Sequence, residues 1–147
     1  MGLSGLLIQG DYPIRLLLTK LMKKRLLVID DDEDIRIVVR QIFEQDGYVV
    51  RSLEDVDNIY SEINYFKPDV VLIDYKLGLS NGAEICYQIK SNAGTLHIPV
   101  VLFSAHHKAI DMIGNHGWNA FIGKPFDIDH IKKVVGGFVK PKAGKEY

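Results

Sequence analysis

Leu26-Leu27-Val28-Ile29-Asp30-Asp31-Asp32 sets four apolar residues directly before three acids, and this abrupt change decides how the rest of the chain is read. A short apolar run closed by polar residues fits a strand buried on both faces. The same figure recurs three times: Val70 to Ile73 stops at Asp74, Val100 to Phe103 at Ser104, and Ala120 to Ile122 just before Lys124. If these are parallel strands of one sheet, their carboxyl ends border a common crevice. Acids, a hydroxyl and an ammonium then meet there.

The segments between the runs carry helical periodicity, the alternation expected of βαβ units around a parallel sheet. Ile35, Val38, Val39, Ile42 and Phe43 predict a first helix that Gly47 stops. Tyr48 to Arg51 follows as a short strand, and Ile59, Ile63 and Phe66 mark a helix that Pro68 ends. Asp69 to Ile73 is the third strand, and a glycine-rich loop then leads to a helix over Ala83 to Lys90 with Ile85 and Ile89 inward. Pro99 introduces the fourth strand. A short helix near Lys108 to Ile113, a strand over Asn119 to Ile122, and a last helix with Ile128, Ile131, Val134 and Val135 as its buried stripe complete five units. The fold class is α/β, doubly wound, with helices on both faces of five parallel strands.

The chain has 147 residues, 47% of them hydrophobic, which suits one domain with a core on each side of a small sheet. A formal net charge of −1 supplies no global field for nucleic acid or an anionic membrane, so neither is expected as a partner. The single cysteine, Cys86, reads as an unreactive helix residue, and with no glycosylation sequon the expected location is cytoplasmic. Residues 1–23 are read as an N-terminal extension, either a short helix or disordered, residues 24–139 as the domain, and residues 140–147 as a flexible tail. The basic cluster Lys20, Lys23, Lys24 and Arg25 follows the apolar patch near the start instead of preceding it, which argues against a secretory signal.

Asp30, Asp31 and Asp74 crowded at strand ends repel one another unless a cation intervenes. Oxygen donors with no histidine or thiolate beside them select magnesium, or manganese, and magnesium commonly shares its shell with a phosphate. An aspartate is a competent nucleophile toward phosphorus when metal and ammonium neutralise the transferring group. Lys124 is the ammonium so placed, and Ser104 offers a hydroxyl hydrogen to an arriving phosphoryl oxygen. The five histidines have no compact ligand spacing and read as exposed loop residues. Trp118 reads as packing beside the last strand.

The motifs together resemble those of response regulator receiver domains of two-component systems, of the single-domain type, over about Lys24 to Val139. Leu-Val-Ile-Asp30-Asp31-Asp32 is similar to the family's acidic pair, Pro68-Asp69-Val-Val-Leu-Ile-Asp74 to its phosphoacceptor strand, Phe103-Ser104-Ala105 to its hydroxyl motif, and Lys124-Pro125-Phe126 to its lysine motif. The resemblance implies a flavodoxin-like sheet of order 2-1-3-4-5. It also implies that Asp74 is the phosphoacceptor, that Asp30, Asp31 and Asp74 hold the metal with the Lys76 backbone carbonyl, and that Phe121 is the aromatic switch position. The expected partners are a sensor histidine kinase or histidine phosphotransfer protein and a downstream effector protein. In this reading the chain is no enzyme in the turnover sense, but a phosphoacceptor that promotes its own phosphorylation and dephosphorylation.

Two departures stand out. Gly78 occupies a place where the family usually has proline, so the loop after Asp74 is expected to be more mobile than usual. The Ser104 to Lys124 interval is about two residues short and holds His106, His107, Asn115 and His116, so a short or frayed fourth helix is expected. Two rival readings are a haloacid dehalogenase-like phosphatase, whose Asp-x-Asp motif Asp30-Asp31-Asp32 mimics, and a degenerate receiver acting as an unphosphorylated interaction module. The Asp34 that follows and the lack of a cap segment oppose the first; the complete acid, hydroxyl and lysine set opposes the second.

Overall fold

The computed structural model describes residues 23–139 together with Ile14. Apart from Ile14 and Lys23, the expected extension lies outside the described residues, as does the expected tail. Five parallel strands form one sheet: β1 (Arg25–Ile29), β2 (Val49–Leu53), β3 (Val70–Asp74), β4 (Val100–Ser104) and β5 (Ala120–Gly123), in the order β2-β1-β3-β4-β5. The expected strand order is the observed one. Among the described residues four helices connect them, α1 (Glu33–Gln45), α2 (Ile59–Phe66), α3 (Gly82–Lys90) and α4 (His107–Ile113), and α5 (Ile128–Phe138) follows β5. Among the described residues, no helix is long and apolar enough to cross a membrane.

Strand alternation divides the core in two. Leu26, Val28, Val70, Leu72, Val101, Phe103 and Ile122 point to one face, where Val39, Ile42 and Phe43 of α1 and Ile131 and Val135 of α5 cover them. Leu27, Ile29, Val71, Ile73 and Val100 point to the other, against α2 and α3. Both faces being covered is why the strands read as unbroken apolar runs.

The helices start where short polar side chains can satisfy their first free N–H groups. Asp32, Asn58, Asn81 and Asp127 each cap one, accepting from backbone N–H groups of the first turn. Gly47 ends α1's connection at φ +85, a conformation that costs glycine little. The second strand begins one residue later than predicted and runs to Leu53, because Tyr48 closes the helix end instead. Its N–H donates to the Phe43 carbonyl, and its ring packs edge-on to Phe43 at 5.1 Å.

Two residues of the expected buried stripes are exposed. At 100° per residue, Val38 lies about 90° from the centre of the stripe made by Val39, Ile42 and Phe43, and it faces solvent. Ile128 lies on the same face as Val135, about 20° away, but as the first residue of α5 it stands at the helix end and is exposed as well.

Candidate functional site

The carboxyl ends of β1, β3, β4 and β5 bring together the residues expected there. Asp30 directly follows β1 and is fully buried, which demands partners for both of its carboxylate oxygens. One accepts from the Asp32 backbone N–H at 2.9 Å, the other from Lys124 Nζ at 2.6 Å. Asp74, the last residue of β3, lies 3.3 Å from the same ammonium and accepts from the Lys76 N–H at 3.4 Å. The Lys124 side chain passes over the Phe103 ring at 4.6 Å, an apolar flank that limits competing hydration. Asp31 is exposed, and its carboxylate accepts from the Gly78 N–H at 3.3 Å.

One oxygen from each of Asp30, Asp31 and Asp74 lies within 4.8 Å of the others. The Lys124 ammonium reaches two of these three acids, Asp30 and Asp74. Burial raises the Asp74 carboxyl to about 6, the Asp30 charge adds to the rise, and Lys124 opposes it. The donor set is all hard oxygen, with one face open through the exposed Asp31, and it fits a divalent cation of the magnesium type.

Ser104 ends β4, wholly buried, and its Oγ accepts from the His106 N–H at 2.9 Å. The Lys124 N–H donates to the Ser104 carbonyl at 2.9 Å, so the two loops are tied by backbone as well as by the site they share. Phe121, two residues before Gly123 on β5, is half-buried and meets the His107 ring. Lys76 sits in a two-residue antiparallel hairpin, Lys76–Leu77 with Ser80–Asn81. The loop around Gly78 takes the form of that hairpin. Gly78 turns at φ +56, its N–H is spent on Asp31, and Ser80 Oγ donates to the Leu77 carbonyl at 3.0 Å. The fourth helix is short, as expected, with seven residues and no side-chain cap at His106.

The third acid of the opening run has a different job. Asp32 Oδ1 accepts from the N–H groups of Asp34 and Ile35 and so caps α1, which removes it from the Asp-x-Asp role a phosphatase would require. Cys86 is buried and its thiol is pushed up to about 11 by that burial, in keeping with an inert core residue. Trp118 packs partly against the α2/α3 core, and all five histidines are exposed.

One residue of the site escaped the sequence reading. Gly82 opens α3 with its Cα against the backbone of Asp74, where a Cβ would overlap the Asp74 carbonyl oxygen and come within 2.8 Å of Ile73 Cγ2. Its N–H donates to the Tyr75 carbonyl at 2.7 Å. The only signal available was a glycine where a helix starts, which is also an ordinary loop residue.

The family model of the response regulator receiver domain matches residues 26–136. The phosphate regulon transcriptional regulatory protein PhoB of Klebsiella pneumoniae is 33% identical over 120 residues, covering 78% of this chain and 52% of its own. Sporulation initiation phosphotransferase F of Bacillus subtilis is 30% identical over 130 residues, covering 84% of this chain and 99% of its own. Among solved structures, the receiver domain of the sensor histidine kinase PA1611 from Pseudomonas aeruginosa, with a magnesium ion in its active site cleft, superposes with a TM-score of 0.72 at 18% identity, over 80% of this chain and 98% of that one. The chain belongs to the response regulator receiver domain family, the phosphoacceptor modules of two-component signalling. It spans about half the length of the PhoB relatives it matches.

Proposed function

We propose that Asp74 accepts a phosphoryl group from the phosphohistidine of a kinase or phosphotransfer protein, with magnesium, or manganese in its place, held by Asp30, Asp31, Asp74 and the Lys76 carbonyl. The observation that carries this reading is the reach of one ammonium, Lys124 Nζ, to both Asp30 at 2.6 Å and Asp74 at 3.3 Å inside the acid cluster. When bound, the metal neutralises charge on the carboxylates and on the phosphoryl oxygens. The magnesium of the PA1611 receiver supports the choice of ion.

Asp74 supplies the nucleophilic oxygen. The phosphorus–oxygen bond forms as the phosphorus–nitrogen bond breaks, and the donor imidazole leaves with the bonding electron pair. Lys124 turns from the carboxylates toward the phosphoryl oxygens, and Ser104 gives up the His106 N–H to donate its hydroxyl hydrogen to the same group. Water attack on phosphorus later restores the Asp74 carboxylate, so the modification is reversible. Ser104's motion opens space for Phe121, and the face built from α4, β5 and α5 changes shape for an effector protein. A differential affinity of a few kcal/mol between the two shapes shifts the population substantially.

Incubation with magnesium and acetyl phosphate or phosphoramidate tests the reading. We expect an acid-stable, base-labile phosphate that requires magnesium and is lost in Asp74→Asn. Phosphate that survives this substitution would remove Asp74 as the acceptor, and no phosphate in the wild type would favour the unphosphorylated interaction module.

A further inference from the structure

β5 lies beside β4 with Gly123 opposite Ser104 and Phe121 opposite Leu102. Alternation puts Phe121 and Gly123 on one face, while Ile122 points to the other, into the α1/α5 core. His107, the first residue of α4, lies on the Phe121 face. Its imidazole meets the Phe121 ring edge-on, with centroids 5.2 Å apart and planes at 78°. It also covers Gly123 so closely that a Cβ there would overlap His107 Cε1 and approach Nε2 to 2.7 Å. The imidazole therefore fills the place where residue 123 would carry a side chain.

This placement blocks one direction of Phe121. A swing of Phe121 toward Ser104 passes over Gly123, the residue paired with Ser104, and that space holds the His107 ring. Phe121 and His107 both border a groove of about 410 Å³ that Ile110, Asp111, Asn115 and Trp118 also line. The start of α4 has no side-chain cap. It is held instead by the His106 N–H donating to Ser104 Oγ at 2.9 Å.

We propose that His107 is a positioning residue of the switch: its imidazole over Gly123 holds Phe121 outward, and Phe121 moves inward only when the His107 ring leaves with the start of α4. The inference rests on the reading of Phe121 as the switch residue. Ser104 couples the two events, because a hydroxyl drawn toward a phosphoryl group gives up the bond from His106 that fixes the helix start. Gly123 makes the arrangement possible, since any side chain there expels the imidazole.

Fluorophenylalanine incorporated into the full chain, with the residue 121 resonance assigned through Phe121→Leu, reports the ring's surroundings with and without magnesium plus beryllofluoride, an acyl phosphate mimic. In the wild type we expect beryllofluoride to shift that resonance. In His107→Ala we expect the inward-to-outward ratio without beryllofluoride to rise about two- to tenfold, the range of an edge-to-face ring contact. His107→Phe should restore the wild-type ratio, and Gly123→Ala should reproduce His107→Ala with the histidine still present. An unchanged ratio in His107→Ala, alongside a normal beryllofluoride shift, overturns the inference and leaves Phe121 as the switch. A residue 121 resonance that beryllofluoride does not move in the wild type overturns both. Failure of phenylalanine to restore the ratio overturns the steric assignment.

Discussion

Asp74 is held between two neighbours of opposite effect, Asp30 raising its proton affinity and Lys124 lowering it, with burial deciding the balance. Its carboxyl titrates near 6 in the folded, metal-free protein against 3.8 for the ordinary group. The folded form binds the proton more tightly, so this stabilising contribution is fully present below pH 3.8, declines as the pH rises, and is gone above about 6. In chelator, the wild type should therefore lose about 1–3 kcal/mol relative to Asp74→Asn between pH 4 and pH 7. Urea denaturation across that range measures it, and parallel pH profiles for the two proteins would refute it. Residue type alone does not separate such roles: Asp30, Asp31 and Asp32 are chemically alike in the sequence. Only the chain path makes the first a buried partner of Lys124, the second an exposed rim acid tied to Gly78, and the third a helix cap.

At the scale of elements, α3 has two determinants of different visibility. Asn81 is the visible one, with Oδ1 accepting from the Ala83 N–H at 2.7 Å and the Glu84 N–H at 3.3 Å. Gly82 is the hidden one. Because it abuts the backbone at the end of β3, Gly82→Ala should cost about 1–3 kcal/mol by forcing α3 away from Asp74. Chemical denaturation reads the stability, and acetyl phosphate labelling of the same variant should slow. A wild-type denaturation midpoint would show that α3 yields without cost. Helix existence was legible because apolar spacing follows the 3.6-residue period whatever the neighbours are. Val38 and Ile128 are exposed for different reasons, Val38 at the angular edge of its stripe and Ile128 on the stripe but at the first residue of its helix, and an apolar residue in either place carries the same letter as one at the centre.

At the scale of the whole molecule, four strand ends separated by long stretches of chain bring three acids and one ammonium together, and that excess of negative charge is the property a cation relieves. Magnesium at about a hundred times its dissociation constant should stabilise the fold by ~2.7 kcal/mol, read as a rise in thermal midpoint over a matched sodium control. Asp31→Asn changes an exposed side chain outside the core and should abolish most of that rise. An equal rise in the variant would place the ion elsewhere.

The sequence by itself determined the alternation of buried strands and amphipathic helices and the candidate set Asp30, Asp31, Asp74, Ser104 and Lys124, while the strand order was implied by the resemblance to receiver domains. The alternation and the set depend on local pattern or on the residue that ends a strand. Tertiary structure alone decided the contacts between distant segments: Gly82 against the Asp74 carbonyl, the Gly78 hairpin on Asp31, and the His107 ring over Gly123 beside Phe121. In each, a small residue is defined by what another segment puts into the space it leaves empty. A one-dimensional pattern records the missing side chain but not its occupant.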